Sequence, residues 1–269
     1  MPDTLRAELR ELASTLARVA GTEALAGRRR LPVGQVVHDT KSSATDPVTE
    51  FDRAAEELIV STLRRVRPDD GIVGEEGANV AGTSGIDWHV DPIDGTVNFV
   101  YGLPTWSVSV AACDVHGGVA GAVYVPVPDE MFTAARGEGA TLNSDPIQAS
   151  TVEQLDMALV ATGFNYDSAE RRRQARRLTE LIGRVRDIRR FGSAALDLCM
   201  VACGRVDAYF EEHLNSWDLA AGSLIAAEAG AVVTGFDGQP TVSGSVVAAP
   251  RALQPHLRAA VLAAEHALD

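Results

Sequence analysis

Cysteine is scarce in this 269-residue chain. Cys113, Cys199 and Cys203 are too few for a disulfide framework, and no partner residues stand near Cys199 and Cys203 at zinc-ligand spacing, so all three read as buried structural thiols. Long hydrophobic runs are missing as well. The chain nowhere reaches the ~18 uninterrupted apolar residues of a membrane-spanning helix, and its charged, amphipathic start lacks the apolar stretch of a secretory signal, so a cytoplasmic location is expected. Basic residues are short in number, 24 against 37 acidic, for a net charge of −13. Such a surface repels nucleic acid and anionic membranes, so neither is expected as a partner, and any phosphate must be held locally. There is no internal repeat, low-complexity tract or flexible linker. A composition of 46% hydrophobic and 23% charged residues excludes a disordered or fibrous chain.

What is present reads as an alternation of helices and strands. Leu5, Leu9, Leu12, Leu16 and Val19 fall at helical spacing and predict a helix over 3–26, with Gly27 as its stop. A short extended piece over 33–38 and the polar run KSSATDP lead to a second helix over 49–66, ended by Pro68 and carrying Asp52 near its start. IDWHVD (86–91) reads as a strand running into the turn PIDGT, and 105–135 as antiparallel strands. Further on, a strand over 158–164 precedes an arginine-rich helix over 168–185. Helices near 193–203, 217–229 and 251–267 then interleave with strands at 206–210, 231–234 and 245–249. The pattern is α+β, divided into an N-terminal half (1–150) and a C-terminal half (151–269) of one compact unit.

Four acids stand out: Glu75 in GEEG, Asp91 and Asp94 in DPIDGT, and Asp218 in SWDLAAG. Oxygen-only ligands select a hard cation, so Mg²⁺ is the natural occupant, with Mn²⁺ a possible substitute. Singly, each acid has a second reading. Asp91 or Asp94 can cap a turn, while Asp218 and Asp52 can be first-turn helix acids. Gly95 and Thr96 set DPIDGT apart, because backbone N–H groups directly after the carboxylates would bind phosphate.

The segments VDPIDGTVNFVYG (90–102) and WDLAAGSLIAAEAGA (217–231) resemble the two signatures of the inositol monophosphatase family. KSSATDPVTEFD and IVGEEG resemble its surroundings, in the expected order. The likeness extends over essentially the whole chain. It implies the layered αβαβα fold of lithium-sensitive sugar phosphatases, shared with fructose-1,6-bisphosphatases, and a homodimer. It implies metal ligation by Glu75, Asp91, Asp94, Asp218 and the carbonyl of Ile93, and a catalytic trio of Glu75, Asp52 and Thr96, the last two orienting and deprotonating the attacking water. Substrate binding falls to Asp94, Gly95, Thr96, Ala194, Glu211 and Asp218, with the amides of Gly95 and Thr96 on the phosphate and Ala194 and Glu211 on the hydroxyl-bearing ring of the alcohol. The implied reaction is hydrolysis of inositol monophosphate by a metal-activated water. Departures are few: Val97 for a common threonine, Pro47 for leucine, and Ser144 with Asp145 where glycine is frequent after Asn143.

Three alternatives stand beside this. A haloacid-dehalogenase-type phosphatase also carries an aspartate before DGT, but two residues ahead of it and as the nucleophile. Histidinol phosphate, fructose 1,6-bisphosphate or 3′-phosphoadenosine phosphate are other substrates for the same chemistry. A protein-docking role is compatible with an intact site. Elsewhere, RRRQARR (171–177) reads as a solvated helix face, the histidines as structural with His213 a candidate pocket residue, and Trp106 and Trp217 as packing behind the metal loops.

Overall fold

The computed structural model describes residues 2–32, 36, 38–41 and 47–266; most of the run KSSATDP and of the extended piece lies outside them. The first helix, α1 (Asp3–Arg29), buries Leu9, Ala13, Leu16, Ala17, Ala20 and Ala24 along one stripe. Gly27 does not stop it. A Cβ there would strike the Phe51 ring, so the glycine admits an aromatic neighbour instead. A two-stranded hairpin, β1 (His38–Thr40) and β2 (Pro47–Thr49), leads into α2 (Glu50–Val66). Thr49 caps α2, its Oγ1 accepting from Phe51 N at 3.1 Å and Asp52 N at 3.4 Å.

The first sheet holds β3 (Gly71–Gly74), β4 (Asn79–Val80), β5 (Asp87–Asp94), β6 (Ser107–Asp114), β7 (Gly117–Val125), β8 (Glu130–Ala135), β9 (Ala140–Leu142) and β10 (Asp145–Pro146). The short helix α3 (Thr96–Tyr101) follows β5 directly. Spatial order is β10-β9-β8-β7-β6-β5-β3-β4, antiparallel throughout except for the parallel pair β3/β5. Arg28 of α1 fixes α3 from behind, its Nε donating to Phe99 O at 2.8 Å and Nη2 to Val100 O at 3.3 Å.

The second part runs β11 (Leu159–Thr162), α4 (Ser168–Leu181), β12 (Asp187–Arg189), α5 (Ala194–Ala202), β13 (Ala208–Leu214), α6 (Ser216–Glu228), β14 (Ala231–Thr234), β15 (Gly244–Pro250) and α7 (Gln254–His266). Its five strands lie in the order β12-β11-β13-β15-β14. The two-residue period of the strands divides three cores. Val108, Val110 and Ala112 of β6 meet α1 and α2 on one face of the first sheet. Ala111, Val123 and Phe132 on its other face share a core with Leu196 of α5, Leu219 and Ile225 of α6, and Val246 and Ala248 of β15. Phe210 and Val247 turn outward to Leu181 of α4 and to Leu257 and Val261 of α7. The layers are therefore helix, sheet, helix, sheet, helix, the α+β arrangement expected from the resemblance.

The arginine run of α4 is not a plain solvated face. Arg177 is only 3% exposed, and with Arg173 it pairs to Glu212 of β13 and Glu265 of α7. Trp106 is buried edge-on against Phe99 at 5.0 Å, as expected, whereas Trp217 lines the cavity that holds the candidate acids.

Candidate active site

A cavity of about 340 Å³ opens between the two sheets, with Glu75, Asp91, Ile93, Asp94, Gly95, Thr96, Ala194, Glu211 and Asp218 all on its wall. Asp91 and Asp94 are three residues apart, which in a regular strand puts side chains on opposite faces. A bulge restores them to one face: Asp91 pairs with Ser109 and Asp94 with Ser107, so three residues of β5 span two of β6. Asp218, from the first turn of α6, completes a trio whose carboxylate oxygens lie within 4.8 Å of one another.

Each acid is held by its own element. Asp94 Oδ2 accepts from Ser193 Oγ (2.6 Å) and Ala195 N (2.7 Å), and Oδ1 from Ala194 N (3.2 Å), at the start of α5. Asp91 Oδ1 accepts from Ile93 N at 3.0 Å. Asp218 Oδ2 accepts from Asn215 N at 2.6 Å in a capping box. Glu75 is outside the trio but beside Asp91; its Oε1 accepts from Lys41 Nζ at 2.8 Å, while its buried Oε2 has no partner among the described residues. Burial, reinforced by repulsion from the neighbouring acids, raises the carboxyl of Asp91 and that of Asp218 well above the usual range; burial also raises those of Glu75 and Asp94. Such a set is unfavourable when ionised and bare, and an oxygen-only donor set with an orphaned buried carboxylate oxygen fits a hard divalent cation.

Asp52 heads a helix and also faces Thr96. Its Oδ2 accepts from Thr49 N at 2.8 Å, closing a capping box at the head of α2, while Oδ1 accepts from Thr96 Oγ1 at 3.1 Å. Desolvation pushes its pKa up to about 6. The Thr96 hydroxyl also lies 3.1 Å from Ile93 O. Gly95 caps α3 at φ 94°, where an added Cβ would come within 2.9 Å of Gly192 O, so only glycine suits the turn. Opposite, the Glu211 carboxylate accepts from Tyr209 OH at 2.6 Å and packs against Gly163, and burial pushes its pKa up to about 7.

His213 sits at φ 66° in a second bulge, between Glu211 and Leu214, with Nε2 3.1 Å from Glu170. Glu170, Glu212 and His213 form another acidic group, but Arg173 pairs with both of its glutamates, so it needs no cation. His89 Nδ1 pairs with Ser216 Oγ at 2.8 Å. The side chain of His266 lies outside the described residues. Cys199 is fully buried and Cys113 and Cys203 partly so, and burial pushes the Cys113 thiol up to about 12, all consistent with structural thiols. Among the described residues no helix is long and apolar enough to cross a membrane.

Among the pocket and supporting residues that escaped sequence reasoning are Lys41, Arg190, Ser193 and Asn215. Asn215 was within reach, because N-x-x-D before an apolar run is a capping signal. Lys41 and Arg190 had no local signal.

The family model described as the inositol monophosphatase family matches residues 5–266. Inositol-1-monophosphatase SuhB of Mycobacterium tuberculosis is 46% identical over 248 residues, covering 86% of this chain and 85% of that one. A protein of Pasteurella multocida named Nus factor SuhB is 44% identical over 78% of this chain and 80% of its own length. Among solved structures, the IMPase of Thermotoga maritima superposes with a TM-score of 0.86 at 32% identity, covering 96% of this chain and 98% of that one. That of Mycobacterium tuberculosis SuhB gives 0.82 at 41%, covering 96% and 97%. With matches of this extent over a site of converging acids, the chain belongs to the inositol monophosphatase family and is a phosphomonoesterase.

Proposed function

We propose that the chain hydrolyses inositol monophosphate to inositol and phosphate, with Mg²⁺ as its cofactor and water as the nucleophile. The observation that carries this reading is the buried trio Asp91, Asp94 and Asp218 facing the Thr96–Asp52 pair across one cavity. Glu75, Asp91, Asp94, Asp218 and the Ile93 carbonyl would hold the cations, with Mn²⁺ a substitute for Mg²⁺. Bound there, divalent cations neutralise phosphoryl oxygens, lower the pKa of the attacking water and stabilise the leaving alkoxide.

The remaining work falls to the chain. Phosphate is cradled by the backbone N–H groups of Gly95 and Thr96 at the left-handed turn. Thr96 Oγ1 lies between Asp52 Oδ1 and the Ile93 carbonyl, so a proton given to the hydroxyl can be passed to Asp52. Ala194, at the start of α5, and Glu211, on β13, face the alcohol, and a carboxylate accepts hydrogen bonds from neighbouring hydroxyls. That favours a polyol over an adenine nucleotide.

Asp94→Asn is expected to lower kcat/KM for inositol 1-phosphate by about 10³-fold or more while the far-ultraviolet circular dichroism stays unchanged. Near-normal Mg²⁺-dependent turnover in that variant would remove the site. A phosphoryl group trapped on Asp91 would overturn attack by water, and higher kcat/KM for histidinol phosphate would overturn the inositol assignment. Relatives named Nus factor SuhB support a second reading, in which the same fold also docks onto a protein. Retention of a partner by Asp94→Asn in a pull-down would separate the two roles.

A further inference from the structure

Trp88 and Val90 of β5 pack in the first core, so His89 and Asp91 share the opposite face of the strand, against the central helices. Around His89 that face is apolar. Its cross-strand neighbour is Ala111, which packs in one core with Leu219 and Ile225 of α6. A half-buried imidazole in such a place costs free energy unless it is hydrogen-bonded. Ser216, the first residue of α6, supplies the partner, with Oγ 2.8 Å from His89 Nδ1, and a hydroxyl serves either tautomer of the ring. Among the described residues this is the one hydrogen bond that joins β5 to α6.

His89 stands two residues before Asp91 and Ser216 two before Asp218, so the bond crosses between the elements that carry these two acids, beside the place where they converge. One residue on, Trp217 O accepts from Ser109 Oγ at 3.2 Å, and Ser109 is buried on β6 opposite Asp91. Two consecutive residues of the first turn of α6 are thus fastened to two adjacent strands. Within this frame the carboxylate oxygens of Asp91 and Asp218 lie within 4.8 Å of one another, and the two groups repel when ionised. Their repulsion pushes β5 and α6 apart until a cation offsets it, and the hydrogen bond resists that separation.

Resting on the cation site proposed above, we propose that His89 and Ser216 are positioning residues that hold Asp218 in register with Asp91 and so preorganise the site for a divalent cation. Mg²⁺ titrated by calorimetry into the cation-free protein reads this directly. His89→Leu and Ser216→Ala are each expected to raise the Mg²⁺ dissociation constant by about tenfold. The Mg²⁺ concentration for half-maximal turnover of inositol 1-phosphate rises in step, while KM for the ester at saturating Mg²⁺ does not change. The double variant loses no more than either single one, because both substitutions remove the same bond. His89→Asn, whose amide reaches the position of Nδ1, restores most of the affinity. Ser223→Ala, further along α6 where the hydroxyl has no partner among the described residues, leaves it unaltered.

Parental affinity in either single variant would overturn the proposal, as would additive losses in the double variant or a His89→Asn no better than His89→Leu. If circular dichroism shows that His89→Leu does not fold, Ser216→Ala, the smaller change, decides alone. A parent that binds Mg²⁺ but leaves inositol 1-phosphate intact refutes only the substrate, and the calorimetry still decides the role of the pair. A parent that binds no Mg²⁺ overturns the cation site and this proposal together.

Discussion

At the scale of single residues, the site is built from carboxyl groups kept against their own repulsion, and this has a consequence that pH exposes. Glu211 titrates near 7 in the folded chain, with burial as the main cause, against ~4.3 in an unfolded chain. The folded state therefore binds this proton more tightly. The stability it contributes is full below ~4.3, declines as pH rises toward 7 and is gone above that. Glu211→Gln removes the penalty, so the cation-free variant is expected to be more stable than the parent at pH 8 by about 1–2 kcal/mol, discounted because Glu211 is partly open to solvent, and indistinguishable from it at pH 4.5. Urea unfolding at the two pH values measures this. A variant less stable than the parent at pH 8 would mean that the Tyr209 hydrogen bond outweighs the desolvation.

At the scale of elements, two bulges set the chemistry. One lets Asp91 and Asp94 share a face of β5, and the other turns β13 at His213 so that Glu211 and Leu214 both line the cavity. Neither was legible in the sequence, since a bulge is defined by pairing with a distant strand. The helices were more legible because their signals are local, such as the apolar stripe of α1 and the proline that ends α2. Gly27 misled because glycine serves close packing as readily as helix termination. Short edge strands such as β4, β10 and β12 carry too few residues for a period to show. At β9–β10 Ser144 sits at φ 74° after Asn143 at φ 49°, a backbone conformation that suits glycine. A side chain there costs ~1 kcal/mol, so Ser144→Gly is expected to raise stability by up to about that amount without altering kcat/KM. Thermal unfolding checks it, and a lowered midpoint would mean that the serine makes a compensating contact.

At the scale of the whole molecule, the acids come from two neighbouring layers, the first sheet and the central helices. Glu75, Asp91 and Asp94 belong to the first sheet and its loops, while Asp218 starts α6, and Asp94 is clamped by the first turn of α5. A cation held by all of them would tie β5 to α6 as well as offset their charge, which would couple binding to the stability of the entire fold. The sign with pH follows from the raised carboxyl groups. At low pH protons occupy them and a cation must displace protons to bind; at high pH they are ionised, the cation-free protein is strained by repulsion, and binding releases that strain. Mg²⁺ at about 100 times its dissociation constant stabilises by ~2.7 kcal/mol, which for a domain of this size is a rise in Tm of roughly 5–10 °C. The rise is therefore expected to be larger at pH 8 than at pH 6, to vanish with a chelator, and to be largely lost in Asp91→Asn, whose cation-free Tm at pH 8 should exceed that of the parent. Calorimetric scans at both pH values, with Mg²⁺ and with an equal ionic strength of KCl, separate site binding from general screening. An equal rise with KCl, or no dependence on pH, would show that the acids do not act together as a cation site.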